Sequence, residues 1–166
     1  VKQDDMVTIA LPNCIEWFVS AIALWKLGAT PQPVSARLPE RELEAIIELA
    51  NPPVLLGTDA VASASRPVLN PIEWLAANPD AVGRDPLPDL YPAAWKAPTS
   101  GGSTGRPKLI VSGDPALFDT DAPLGLRLEH DGTMVMPGPL YHNAPVVWTC
   151  QALLAGNHLI QLVKAR

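Results

Sequence analysis

Short apolar runs of strand length alternate with helix-type stretches through the first half of this 166-residue chain, and no other feature constrains the fold as much. Met6 to Leu11 is β-like and is closed by Pro12-Asn13. From Cys14 to Leu27 the apolar residues Ile15, Phe18, Val19, Ile22 and Trp25 fall at helical spacing. Gly28 stands where a left-handed glycine would stop that helix. Thr30 to Val34 reads as short and extended. A second helix is predicted from Pro39 to Ala50, with Pro39 at its first position. Its stripe is Leu43, Ile46, Ile47 and Ala50; Glu40, Arg41, Glu42, Glu44 and Glu48 face water. Val54 to Leu56 is a strand before Gly57, Thr58 to Ala64 a short helix, Pro67 to Leu69 a strand, and Ile72 to Ala77 a helical turn. Strand alternating with helix predicts an α/β fold whose mostly parallel sheet is joined by crossover helices.

Asn78 to Ala94 breaks the pattern. Asp80, Gly83, Asp85, Pro86, Pro88, Asp89 and Pro92 leave little periodicity, so the stretch reads as an exposed connection. Beyond it, short strands at Trp95 to Pro98 and Lys108 to Val111 flank a Gly/Ser/Thr loop. Thr133 to Met136 reads as a strand, Asn143 to Leu154 as a helix and His158 to Val163 as a closing strand. The expected organisation is one partial domain: a βα-repeat portion over 1–77, a linker over 78–94, and a portion over 95–166 carrying the loop. The chain begins almost directly in a strand and stops at Lys164-Ala165-Arg166, so it reads as an internal piece of something longer.

Charge and composition exclude several functions. A net charge of −5 with no Lys/Arg run argues against a nucleic-acid face, which needs a basic patch. The longest apolar stretches, within Trp17 to Trp25, fall far short of the ~20 residues that span a bilayer. Val1-Lys2-Gln3-Asp4-Asp5 lacks the basic and apolar regions of a signal peptide. Cys14 and Cys150 lie in apolar, helix-like stretches without metal-ligand spacing, and read as two buried thiols in a reducing, cytoplasmic setting. No protein-held metal is expected.

The stretch that carries chemistry is Thr99-Ser100-Gly101-Gly102-Ser103-Thr104-Gly105-Arg106-Pro107-Lys108. Gly101, Gly102 and Gly105 can take positive φ and let the backbone approach a ligand. Successive backbone N–H groups there form a nest suited to anions. Ser100, Ser103 and Thr104 add hydroxyls, Arg106 and Lys108 add positive charge, and Pro107 stiffens the exit into the next strand. Together they suit a polyphosphate. Pro107 separates glycine from lysine, so this is not a Walker loop, and no Gly-x-Gly-x-x-Gly turn is present. A plain Gly/Ser surface loop is the competing reading of this composition.

Gly102 through Lys108 resembles, position by position, the phosphate-binding signature of the adenylate-forming superfamily, Ser/Thr-Gly-Thr/Ser-Thr-Gly-x-Pro-Lys-Gly. That superfamily comprises acyl-CoA synthetases, peptide-synthetase adenylation domains and luciferases. Two positions depart: Gly101 stands where the family often has Ser, and Leu109 where it usually has Gly. Downstream, Pro139-Leu140-Tyr141-His142-Asn143-Ala144-Pro145 resembles the family's Pro-Leu-aromatic-His motif, with Pro145 where Gly is common. Leu24-Trp25-Lys26-Leu27-Gly28-Ala29, followed by Pro33, is a weaker likeness to the family's early helix. The resemblance covers nearly the whole chain in order, and the two motifs look most like acyl-CoA ligases of the fatty-acid and bile-acid type.

The resemblance implies part of a large N-terminal domain of an enzyme that joins a carboxylic acid to AMP using Mg-ATP, then passes the acyl group to coenzyme A. It implies that Ser100, Gly101, Gly102, Ser103, Thr104, Gly105, Arg106 and Lys108 hold the nucleotide phosphates, and that His142 shapes the acyl site. His130 and His158 carry no such assignment. Two family segments are absent, Tyr-Gly-x-Thr-Glu for magnesium and Tyr-x-Thr-Gly-Asp for the ribose, as is the C-terminal domain with its catalytic lysine; Lys164 is no substitute. Negligible turnover by this chain alone is therefore expected. The alternative is a non-catalytic nucleotide-binding or interaction module derived from that family. Exposed sheet edges in such a piece could favour a homodimer.

Overall fold

The first strand, β1 (Met6–Ala10), is almost wholly buried and forms the middle of a four-stranded sheet. It pairs in parallel with β2 (Thr30–Pro33) on one side and β3 (Leu55–Gly57) on the other, and β4 (Val68–Leu69) extends the sheet beyond β3. The crossovers are α1 (Ile15–Lys26) and α2 (Glu40–Ala50), so the α/β parallel-sheet expectation is met. Helix α3 (Pro71–Ala77) follows, begun by Asn70, whose side-chain oxygen accepts from the Ile72 and Glu73 amides. An antiparallel hairpin of β5 (Thr99–Gly101) and β6 (Pro107–Leu109) comes next. Then β7 (Thr133–Met136), α4 (Asn143–Leu154) and β8 (His158–Gln161) form a parallel βαβ unit. This computed structural model describes the chain except residues 59, 60, 62, 64, 80–82, 84, 102–105, 120–127 and 164–166. Among the described residues no helix is long and apolar enough to cross a membrane.

Two prolines inside β2 are compatible with pairing because of which way their nitrogens face. Thr30 and Val34 donate their N–H groups to Asp5 and Ile9 of the β1 side. Pro31 and Pro33 sit between them, where an N–H would face away from β1, and β2 is the sheet's outer strand. The outward Pro31 carbonyl is taken by the Ala97 amide, so residues 94–98 run alongside β2.

The core has two parts, one on each face of the sheet. Val7, Ile9, Leu11 and Leu56 pack with Trp17, Ala21 and Leu24 of α1 and with Leu140, Val146 and Cys150. Ala10, Val34 and Leu55 pack with Leu43, Ile46 and Ile47 of α2. Each fully buried aliphatic side chain contributes about 1.5–3 kcal/mol over an exposed one. The α2 stripe is as expected. The α1 stripe is not: α1 buries Trp17, Ser20, Ala21 and Leu24, while Ile15 is 78% exposed and Val19 and Ile22 face outward. The helix is apolar around most of its circumference, so spacing alone fits either face.

Smaller corrections follow the same logic of local signals overruled by packing. Pro39 is the N-cap residue and α2 starts at Glu40. Thr58, Val61 and Ser63, the described residues of the expected helix over 58–64, are not helical. Regular pairing of the hairpin begins at Thr99 instead of spanning 95–98. Residues 95–98 still form its stem, since Ile110 and Ser112 donate to Pro98 and Lys96 and Trp95 donates to Asp114. Gly28 ends α1 as expected, with φ +71°, where a side chain would be strained.

Candidate active-site cleft

The carboxyl end of β2 faces a cleft of about 780 Å³. One wall is Pro33, Val34 and Ser35 with Leu38, Arg41, Glu42, Ala45 and Ile46 from the start of α2. The second is the hairpin, through Thr99, Ser100, Gly101, Arg106 and Pro107. The third is Tyr141 and His142. Ligands of open α/β sheets bind at this position, beyond the carboxyl ends of the strands. Two motifs far apart in the sequence therefore line one space, with guanidinium groups from Arg41 and Arg106 and the hydroxyls of Ser35, Thr99 and Ser100.

Of the sequence-derived site residues, Ser100, Gly101, Arg106, Lys108 and His142 are among those described. Ser100 and Gly101 are in β5, and Arg106 precedes β6, all on the cleft wall. Gly102, Ser103, Thr104 and Gly105 lie outside the described residues. Lys108 is exposed on β6, opposite Ser100, so the two side chains leave the hairpin on one face, though Lys108 does not itself line the cleft. Gly101 does not use the positive φ expected of it; it is an ordinary strand residue, and a Cβ there would meet nothing within 4 Å. Its Ser-to-Gly departure is therefore a loss of a hydroxyl, not a backbone requirement. The other departure has a structural use: Leu109 packs against the α2-side core and fastens the hairpin to it.

His142 is exposed, in extended backbone at the N-cap of α4, with its ring 4.5 Å from that of Tyr141. The segment before it is held by a residue whose role the sequence does not signal, Asn13. Its amide nitrogen donates to the Gly138 carbonyl at 3.1 Å and to the Leu162 carbonyl at 2.9 Å, and its oxygen accepts from the Leu140 amide at 2.9 Å. Asn13 follows β1, so the central sheet positions the aromatic-His segment directly. Gln161 adds donation to the Met136 and Gly138 carbonyls. Gly138 is also required for close approach, because a Cβ there would meet Pro145 Cγ at 2.6 Å.

The hairpin is held by a second unsignalled set. Thr8 and Gln32 are register partners on β1 and β2, both fully buried. The Thr8 hydroxyl donates to Gln32 Oε1 at 2.8 Å, and Gln32 Nε2 donates to Thr99 Oγ1 at 2.8 Å. Beside them the Thr30 hydroxyl donates to the Ala94 carbonyl and the Trp25 indole to the Trp95 carbonyl. Lys96 stacks over the Trp95 ring at 3.7 Å, and burial pulls its ammonium below the ordinary range. The thiols are far from chemistry: burial pushes Cys150 up to about 12 and Cys14 up to about 11, which keeps both protonated and unreactive.

Comparison with known proteins puts this geometry in context. The chain matches the family described as AMP-binding enzyme over residues 1–165. It is 23% identical, over 98% of its own length and 35% of the relative's, to a protein named long-chain-fatty-acid–CoA ligase FadD13 of Mycobacterium tuberculosis. It is 27% identical, over 67% of this chain and 5% of the relative, to the N-benzoylphenylalaninol synthetase apmA of Penicillium brevicompactum. The chain thus spans about a third of the first of these. Among solved structures, the inhibitor-bound N-terminal domain of FACL13 from M. tuberculosis superposes with TM-score 0.80 at 18% identity, covering all of this chain and 46% of that one. The o-succinylbenzoate CoA synthetase of Bacillus subtilis, in complex with its acyl-adenylate, gives TM-score 0.79 at 16% identity and 45% coverage of that chain. With a match that runs from one end of the sequence to the other and takes in both motifs on the cleft, the chain belongs to the AMP-binding enzyme family.

Proposed function

We propose that this chain forms the phosphate-binding and aromatic-histidine side of an adenylating site, in a protein that activates a carboxylic acid with ATP and transfers it to coenzyme A. The observation that carries the reading is the single cleft lined by Ser100, Gly101 and Arg106 together with Tyr141 and His142. In the first step a carboxylate oxygen attacks the α-phosphorus of ATP, the bond to pyrophosphate breaks, and an acyl-adenylate forms. In the second, the thiol of coenzyme A attacks the acyl carbonyl and AMP leaves. Such chemistry needs positioning and charge neutralisation more than covalent help. The backbone of residues 102–105 with Ser100, Ser103, Thr104, Arg106 and Lys108 holds the phosphates, and His142 with Tyr141 borders the acyl carboxylate. Among the described residues no group of three or more His, Cys, Asp or Glu side chains gathers to hold a metal. Magnesium would enter with the nucleotide, and no step is assigned to it.

A fatty or related acyl chain is the substrate this reading favours, supported by the likeness to a long-chain-fatty-acid–CoA ligase along 98% of the sequence. Carboxylate-dependent ATP–pyrophosphate exchange tests it, run on this chain and on the longest native product of its gene with acids from acetate to long-chain and steroid carboxylates. Exchange by the native product, strongest with fatty acids, is expected, with little or none by this chain. Absence of exchange from both would remove the enzymatic reading.

A further inference from the structure

Two fully buried polar side chains beneath the hairpin have no part in the chemistry described so far. Thr8 and Gln32 sit side by side on the face of the sheet that α2 and the hairpin cover. A buried amide costs free energy unless both of its ends are bonded, and here both are, the oxygen to Thr8 and the nitrogen to Thr99. Methionine or leucine would fill the same volume without that requirement. Thr99 is the residue immediately before Ser100, and it lines the cleft. The relay therefore connects the middle of the sheet to the point where the phosphate-binding segment leaves it.

We infer that Gln32 is a positioning residue for nucleotide phosphate, acting through Thr99 to fix where Ser100 and Gly101 of β5 stand. This rests on the phosphate-binding reading above. Three features support it. The bond is directional, since an amide N–H donor meets a hydroxyl oxygen and uses one of its lone pairs. Its anchored end is dry, with Gln32 and Thr8 at 0% exposure, while Thr99 is half-buried at the cleft wall. It is also the side-chain bond that joins β2 to β5, among the described residues, whereas Ala97, Thr30 and Trp25 fasten only the approach over 94–97.

The test is calorimetric titration of the full chain with Mg-ATP, Mg-pyrophosphate and adenosine, for Gln32→Met, Thr99→Val, the double variant and Thr99→Ser. Gln32→Met should weaken both phosphate ligands by roughly five- to tenfold, one well-oriented hydrogen bond's worth, and leave adenosine unchanged. Thr99→Val should do the same, and the double variant should be no weaker than either single one, because both remove one link. Thr99→Ser keeps the hydroxyl and should retain parental affinity. Circular dichroism melts separate folding from positioning, and if Gln32→Met fails to fold, Thr99→Val against Thr99→Ser makes the same distinction. Equal losses for adenosine and phosphate ligands, additive single effects, or unchanged phosphate affinity in folded Gln32→Met would overturn the inference while leaving the phosphate site standing. No binding of any phosphate ligand by the parent chain would remove both.

Discussion

The two parallel sheets, β2-β1-β3-β4 and β7-β8, differ in what covers them. In the four-stranded sheet, β1, β2 and β3 are buried on both faces, with Val7, Ile9, Thr8, Gln32 and Leu55 at 0% exposure. In the β7–β8 sheet the pattern alternates along each strand, and Thr133, Val135, His158 and Ile160 are exposed. Covered sheets read as continuous apolar runs and half-covered ones as alternation. The cleft lies between the two. Its stability comes from the first sheet, while Tyr141 and His142 ride on the second and are tied back by Asn13. The phosphate hairpin is tied back by Gln32. Stiff framework and reactive segments are thus joined by a few polar bonds that add to the apolar contacts of Leu140 and Leu109.

The largest expected contrast is between the two sheets themselves. Trp17→Ala, at 1% exposure under β1, should cost about 3–5 kcal/mol of unfolding free energy. Ile160→Ala, at 42% exposure on β8, should stay within about 0.5 kcal/mol. Urea denaturation of both variants measures it, and comparable losses would break the comparison. Asn13→Ala comes next. Three bonds to backbone groups disappear, so about 2 kcal/mol should be lost, with faster amide exchange at 138–142 and no change inside β1. Uniform loosening of the chain would show that Asn13 is ordinary core support.

These two results also bear on how much can be read from the sequence. Strand-helix alternation, the α2 stripe, Gly28 and both motifs are legible because each has a local signature. The buried face of α1 is not, since Ile15, Val19 and Ile22 satisfy helical spacing as well as Trp17, Ala21 and Leu24 do. Asn13, Gln32 and Thr8 leave no signal either. An amide or hydroxyl in or beside an apolar strand looks like an interruption until its partner, 24 to 149 residues away, is known. The role of Leu109 is equally hidden: in the sequence it is only a departure from a motif, and in the fold it is an anchor.

Smaller effects sharpen the picture of the cleft. Lys108→Ala should weaken Mg-ATP about tenfold, near 1.4 kcal/mol, without shifting the melting temperature, because the side chain is exposed and outside the core. Equilibrium dialysis decides it, and unchanged affinity would remove Lys108 from the phosphate set. The smallest effect concerns pH. Both thiols have folded values raised by burial above the ordinary 9.0, so their contribution is fully present below pH 9 and is lost as pH rises toward 11–12, where only the unfolded chain has ionised first. Melting midpoints should be insensitive to the thiols below pH 9 and fall above it, and Cys150→Ala should reduce that alkaline slope. An identical slope in the variant would contradict the assignment.

The central claim is that the hairpin and the Tyr141–His142 segment face one ligand. Hydrogen–deuterium exchange with and without a non-hydrolysable acyl-adenylate analogue tests it most directly. Protection is predicted over 99–109 and 139–143 together, with β7 and the outer face of α1 unchanged. Protection of one segment without the other, or of neither at saturating analogue, would mean that the two motifs do not form a single site.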